Sequence, residues 1–230
     1  MPRLTIRQAF SALQIITLLT FMFTGIPGAV YSAPAAAKTI SIAEARSLPL
    51  GTVVTIDGFV TVASGAFSSS TFDQGFAIQD NTGGIYVSVP VNHSLAPRQQ
   101  VRVTGKLADT VLPGLLVLID VTAIKVTGRG PRVQPVAVST GDVGEDTEGT
   151  LVSVTGTITQ PIVNDLPFGF IIFLNDGSGE VNVFVCASTG IDVSGLSPGQ
   201  TIEVTGFSGQ FADDFEVDPR TQSDIRVVTN

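Results

Sequence analysis

Gly51-Thr52-Val53-Val54-Thr55-Ile56-Asp57-Gly58 returns 98 residues later as Gly149-Thr150-Leu151-Val152-Ser153-Val154-Thr155-Gly156. Two more blocks keep the same order. Asp80-Asn81-Thr82-Gly83-Gly84-Ile85 matches Asp176-Gly177-Ser178-Gly179-Glu180-Val181, and Leu95-Ala96-Pro97 through Val103-Thr104-Gly105 matches Leu196-Ser197-Pro198 through Val204-Thr205-Gly206, at offsets of 96 and 101. The small drift falls in loops, where insertions are tolerated. One structural unit is therefore written twice.

Each block reads as a piece of a small barrel. Val53, Thr55 and Ile56 begin a strand that bends at Gly58, and Val152, Val154 and Gly156 repeat it; glycine inside a strand marks a bend or a close backbone approach. Asp-Asn-Thr-Gly-Gly is a tight turn joining strand Phe76 to Gln79 with strand Ile85 to Val89. Its second copy joins Ile171 to Asn175 with Val181 to Val185. Leu-x-Pro leads into a fourth strand, Val101 to Gly105 or Ile202 to Gly206. The fifth is expected at Leu116 to Val126, and at about Asp224 to Val228 in the second copy. Five short antiparallel strands per copy predict an all-β protein of two tandem five-stranded OB-type barrels. Paired Ig-like sandwiches would need about seven strands each. A short helix at Ile42 to Ser47, capped by Ser41, precedes the first barrel, and a Gly/Pro/Ser/Thr-rich link runs from about Gly128 to Asp146.

Residues 1–37 are set apart. Arg3 and Arg7 precede an uncharged run from Ala9 to Phe23, then small residues including Ala33 and Ala35 to Ala37. Basic start, apolar middle and small-residue end form a secretory signal peptide; the alternative is an anchor that stays attached. The expected organisation is a signal peptide at 1–37, a first OB-fold domain at 38–135 and a second at 136–230. It predicts a secreted protein, extracellular or periplasmic, with no membrane span after cleavage.

The composition fits a folded chain: 43% hydrophobic, 14% charged. A single cysteine, Cys186, excludes an internal disulfide, and a single histidine, His93, leaves a His/Cys zinc site without ligands. Neither supplies a nucleophile–base pair. No cofactor motif is present, and the chain is expected not to be an enzyme. The acidic run Asp213, Asp214, Glu216, Asp218 reads as a solvated loop; a hard-cation site is the other reading, but its spacing matches no EF-hand loop.

Three segments carry a family likeness: Ile42-Ala43-Glu44-Ala45-Arg46 followed by Leu50-Gly51-Thr52-Val53-Val54; Phe76-Ala77-Ile78-Gln79-Asp80; and Glu148-Gly149-Thr150-Leu151-Val152-Ser153-Val154-Thr155-Gly156. Through them the chain resembles the tandem OB-fold accessory modules of bacterial extracellular nucleases and related secreted proteins. The resemblance implies secretion and a supporting role in nucleic-acid binding. The two barrels are expected to fill the sequence after the signal peptide, so a nuclease partner is expected to be a separate secreted protein.

OB barrels bind ligands on the face of strands 2 and 3 and with the adjoining loops. Period-two alternation turns Phe76, Ile78, Ile85, Val87 and Val89 inward and Gln79, Tyr86 and Ser88 outward. Phe67 and Phe72 in the loop between strands 1 and 2 would stack bases, with Arg98 and Lys106 as cations; alternatively the two phenylalanines fold back over the barrel end. In the second copy Phe173, Phe184, Phe211 and Phe215 suggest a contact with a protein, unless the barrels pack these aromatics against each other.

Charge separates the copies. Residues 38–135 carry eight cations and six acids, whereas residues 136–230 carry two cations and fourteen acids. Only the first barrel is an electrostatic candidate for single-stranded DNA or RNA. The competing expectation is a cell-surface structural module that contacts protein or glycan and leaves nucleic acid alone.

Overall fold

The computed structural model describes residues 38–69, 72–110 and 114–228. Residues 1–37, expected to be a signal peptide, lie outside the described residues.

The chain is all-β, with two closed five-stranded barrels in tandem. The first uses β2 (Val53–Val62), β3 (Phe76–Gln79), β4 (Gly84–Val87), β5 (Gln99–Asp109) and β6 (Leu116–Arg129), preceded by a short β1 (Thr39–Ile40). Pairing runs β2-β3-β4-β6-β5 and closes from β5 back to β2. Only β4–β6 in this ring is parallel. The second uses β8 (Leu151–Ile158), β10 (Gly169–Asn175), β11 (Glu180–Cys186), β12 (Thr201–Phe211) and β13 (Asp214–Asp218), in the same order and with the same parallel closure, β11–β13. The expected fold class and tandem arrangement hold.

The repeat extends further back than its sequence blocks. β1 pairs parallel with β2, and β7 (Val136–Ala137) pairs parallel with β8. Helix α1 (Ile42–Arg46) is capped by Ser41, whose Oγ accepts from the Glu44 amide at 3.2 Å. A 3-10 turn at Thr140–Asp142 follows Ser139 in the same place. One turn aspartate braces each: Asp80 accepts from the Ile42 amide at 2.9 Å, and Asp176 from the Thr140 amide at 3.2 Å. The two turn carboxylates are thus filled by the protein's own N–H and O–H donors. At Asp176, bonds from Ser178 and Thr140 hold the carboxyl well below the usual carboxylate range.

Alternation along the strands fills each barrel separately. Ile56, Phe76, Ile78, Ile85, Val87, Val101 and Val103 pack in the first; Val152, Val154, Ile172, Leu174, Val183, Ile202 and Val204 pack in the second.

The fifth strand of the second barrel corrects the sequence reading. Residues 214–218 close the ring, while β14 (Ile225–Val227) only extends β12. In the first barrel β6 does both jobs in one continuous strand, with a bulge at left-handed Asp120. The second copy places residues 219–224 at that point, ending in a 3-10 turn at Gln222–Asp224. Asp214, Glu216 and Asp218 of the acidic run are therefore on a strand, with Val217 between them in the core, while Asp213 stays in an exposed turn.

Candidate functional site

The outer face of β3 and β4, where an OB barrel receives its ligand, is covered by the second barrel. Val62, Phe67, Ala77, Tyr86, Leu115 and Val117 of the first barrel form a third apolar cluster with Phe207 of the second. The Phe207 ring lies 6.0 Å from both Phe67 and Tyr86, and Phe67 stacks on Tyr86 at 6.3 Å. Gln79 Oε1 accepts the Leu151 amide across the seam at 2.9 Å. Alternation placed Gln79 and Tyr86 outside their own barrel correctly, but that outside is the inside of the pair. Phe67 folds back, and is 7% exposed.

Polar groups fix this seam. Arg46 donates to Glu148 Oε1 at 2.9 Å, and the Leu116 amide reaches the same oxygen at 3.3 Å. The Glu148 side chain is 1% exposed, so burial pushes its carboxyl up against the lowering effect of Arg46. Gly84 and Gly149 meet backbone to backbone; a Cβ on either would overlap the other's carbonyl. The Tyr86 hydroxyl donates to Asp73 Oδ1 at 2.7 Å, inside a loop where Asp73 also accepts from Ser69 Oγ at 2.7 Å. Burial, then the Asp73 charge, holds the phenol far above its ordinary range.

The expected cations are dispersed or paired. Lys106 pairs with Asp120. Arg98 is exposed, with left-handed backbone, and its Nε donates to the Gly130 carbonyl at 3.1 Å. Arg102 grips Asp57 through two bonds of 2.7 and 2.8 Å. Of the six residues expected at the first barrel's ligand face, Phe67, Gln79 and Tyr86 are in the seam, Lys106 is neutralised, and Phe72 and Arg98 remain exposed.

The same face of the second barrel is open. Ile171 opposes Phe184 and Phe173 opposes Asn182 across β10 and β11, and Asn182 neighbours Glu216 on β13. Ile171, Phe173, Asn182, Phe184 and Glu216 are all half-buried. The Phe184 ring lies against Gly169, where a side chain would crowd its Cζ at 3.0 Å. Phe168, 52% exposed, adjoins Gly169 and stands 6.3 Å from Phe72, itself 75% exposed. Phe72 of the first copy thus meets Phe168 of the second. Phe211 is half-exposed, opposite Asp214. Phe215 packs on the barrel core instead, since neighbouring strand residues point to opposite faces.

Sequence reasoning missed Phe168, Ile171 and the added strand β9 (Val163–Asp165), which pairs with β10. The signal was there: Asn164-Asp165-Leu166-Pro167 is turn chemistry between apolar residues.

Carboxyls flank the aromatics. Burial, then the Asp214 charge, pushes Glu216 up to about 7. Asp218 is buried at the seam end of the same strand and raised by burial and then by Glu216. Its Oδ1 has no hydrogen-bond partner among the described residues. Cys186 Sγ contacts Ser188 Oγ at 3.1 Å, whereas His93 sits in an exposed loop of the other barrel. Among the described residues no group of three or more His, Cys, Asp or Glu side chains is placed to hold a metal ion. No described helix is long and apolar enough to cross a membrane. The face is thus largely apolar, with the Asn182 amide and the Glu216 carboxyl as neighbours across β11 and β13.

No protein-family model matches the chain, and no curated protein matches it. Among solved structures it is similar to the hypothetical protein ygiW from E. coli, at 22% identity and TM-score 0.32 over 40% of this chain and 90% of that one. It is also similar to a murine DNA binding protein solved bound with double-stranded DNA, at 13% identity and TM-score 0.39 over 76% and 96%. The p204 HINb domain matches at 14% identity and TM-score 0.35 over 77% and 96%.

Proposed function

We propose that this chain is a secreted, non-catalytic OB-type binding protein that holds a basic, partly apolar protein segment on the sheet face of its second barrel. The observation that carries the reading is the contrast in exposure: one ligand face is sealed by Phe207, and its counterpart presents Ile171, Phe173 and Phe184 beside Phe168 and Phe72. Charge selects the partner. Asp165, Asp213, Asp214 and Glu216 border this face, and a basic segment complements them while a nucleic-acid backbone is repelled. Secretion rests on the basic, apolar and small-residue order of residues 1–37.

A second reading has one observation in its favour. Lys125, Arg129 and Arg132 are exposed alongside Arg98 on the first barrel, a surface for single-stranded nucleic acid that avoids the sealed face.

The test titrates two labelled probes in parallel: a synthetic 14-residue peptide of Leu and Lys, and a 15-residue oligothymidylate at low and high salt. The proposal expects peptide binding that weakens about tenfold in Phe184→Ala, as truncating a central aromatic anchor does. It expects no oligonucleotide binding even at low salt. Salt-sensitive oligonucleotide binding, lost in Arg98→Glu plus Lys106→Glu, with no peptide binding, would overturn it in favour of the second reading.

A further inference from the structure

Beyond residue 130 the described chain carries three cations, Arg132, Arg220 and Arg226, and all three line one cleft. The cleft lies between the segment 132–135 and the second barrel, and holds about 310 Å³. Its other walls include Gln134, Thr205 and Ser223, which supply neutral polar groups. In a region so acidic, chance placement would scatter three arginines rather than gather them.

The three differ in role. Arg220 is fixed: it donates to Asp224 through Nε and Nη2 at 3.0 and 2.8 Å, and through Nη1 to the Thr61 carbonyl of the first barrel at 2.9 Å. Its charge is largely spent on Asp224 and on joining the barrels. Arg132 and Arg226 are exposed, and neither has an ion-pair partner among the described residues. Glu203 opposes Arg226 across β12 and β14 and is the cleft's remaining carboxylate. Two exposed arginines lining one recess with polar walls suit a tetrahedral oxyanion, which a guanidinium grips bidentately.

We infer that this cleft binds an oxyanion of the phosphate or sulfate class, held by Arg132 and Arg226. The site is separate from the aromatic face, so either can fail alone. A recess of this volume takes a phosphate or sulfate group and a little of what bears it.

Calorimetric titration of the full chain tests it with three probes: inorganic pyrophosphate, a sulfated disaccharide and a sugar monophosphate, at fixed ionic strength. At least one binds, and Arg132→Ala plus Arg226→Ala weakens that binding tenfold or more. Glu203→Gln tightens it severalfold by removing a negative wall, a readout that loss of folding would not produce. Lys38→Ala, outside the cleft, leaves it unchanged. Preference among the probes identifies the source of the oxyanion. The inference falls if none of the three binds, or if binding survives the double substitution.

Discussion

The same two strands do opposite work in the two barrels. In the first, Ala77 opposes Tyr86 across β3 and β4; in the second, Phe173 opposes Asn182 at the equivalent place on β10 and β11. A small residue beside a large one leaves a socket, and Phe207 of the other barrel fills it. Reversing the sizes puts a phenylalanine where the socket was, and the face stays open. The neighbouring parallel strand differs likewise: Val117 pairs with Tyr86 and is fully buried, whereas Glu216 pairs with Asn182 and is partly exposed. The two copies therefore carry the same sheet face, and its outward residues make one of the two a contact between the barrels.

Emptying the socket should have the largest effect. Phe207 is 1% exposed and is the second barrel's aromatic in the seam cluster. Phe207→Ala should cost about 3–5 kcal/mol, the range for a buried phenylalanine truncated in a core. Urea unfolding at constant protein concentration measures it. A loss below about 1 kcal/mol would mean that the face of the first barrel is not sealed in solution.

The barrels were legible because their information is local and periodic. Gly51, Asp80 and Leu95 recur with their partners, and alternation sorted Phe76 and Ile78 from Gln79 correctly. The seam was not legible, because period two says which side of a sheet a residue faces and nothing about what stands there. Tyr86 and Phe184 looked alike as outward aromatics; only the docking of Phe207 separates them. The fifth strand of the second copy was misplaced for a related reason. Asp214, Glu216 and Asp218 read as a polar loop, since carboxylates seldom lie on a sheet face packed near a domain contact.

The next effect in size is electrostatic. Arg46 of the first copy compensates Glu148 of the second, and one Glu148 oxygen, Oε2, is already without a partner among the described residues. Arg46→Met keeps the stem of the side chain and strands the buried carboxylate. Removing one member of a buried pair costs about 3–5 kcal/mol; the lower end applies here, because Arg46 is 15% exposed and Glu148 answers by taking up a proton. Arg46→Met with Glu148→Gln should recover most of the loss, since no charge is then stranded. A double variant no more stable than Arg46→Met would remove the ion pair from the account of the seam.

The smallest effect sharpens the contrast between Val117 and Glu216. Folding raises the Glu216 carboxyl from its ordinary 4.5 to about 7, and Asp218 moves the same way. The folded state then binds more protons than the unfolded state between those values, so stability falls as pH rises through that window and is gained on acidification. One pKa unit corresponds to about 1.4 kcal/mol; partial exposure of Glu216 reduces the whole effect to about 1–2 kcal/mol. Calorimetric melting should therefore show a higher Tm at pH 5.5 than at pH 8. Glu216→Gln should flatten this slope and raise the Tm at pH 8. The slope will not vanish, because buried Asp218 still titrates, though relieved of its neighbour's charge. Below the ordinary aspartate range the trend reverses: Asp176 is depressed by Ser178 and Thr140, so its contribution, present above 3.8, is lost as pH falls further. A Tm that is level from pH 8 to 5.5, or a Glu216→Gln profile parallel to the parent's, would place Glu216 in open water and extend the exposed face of the second barrel across β13.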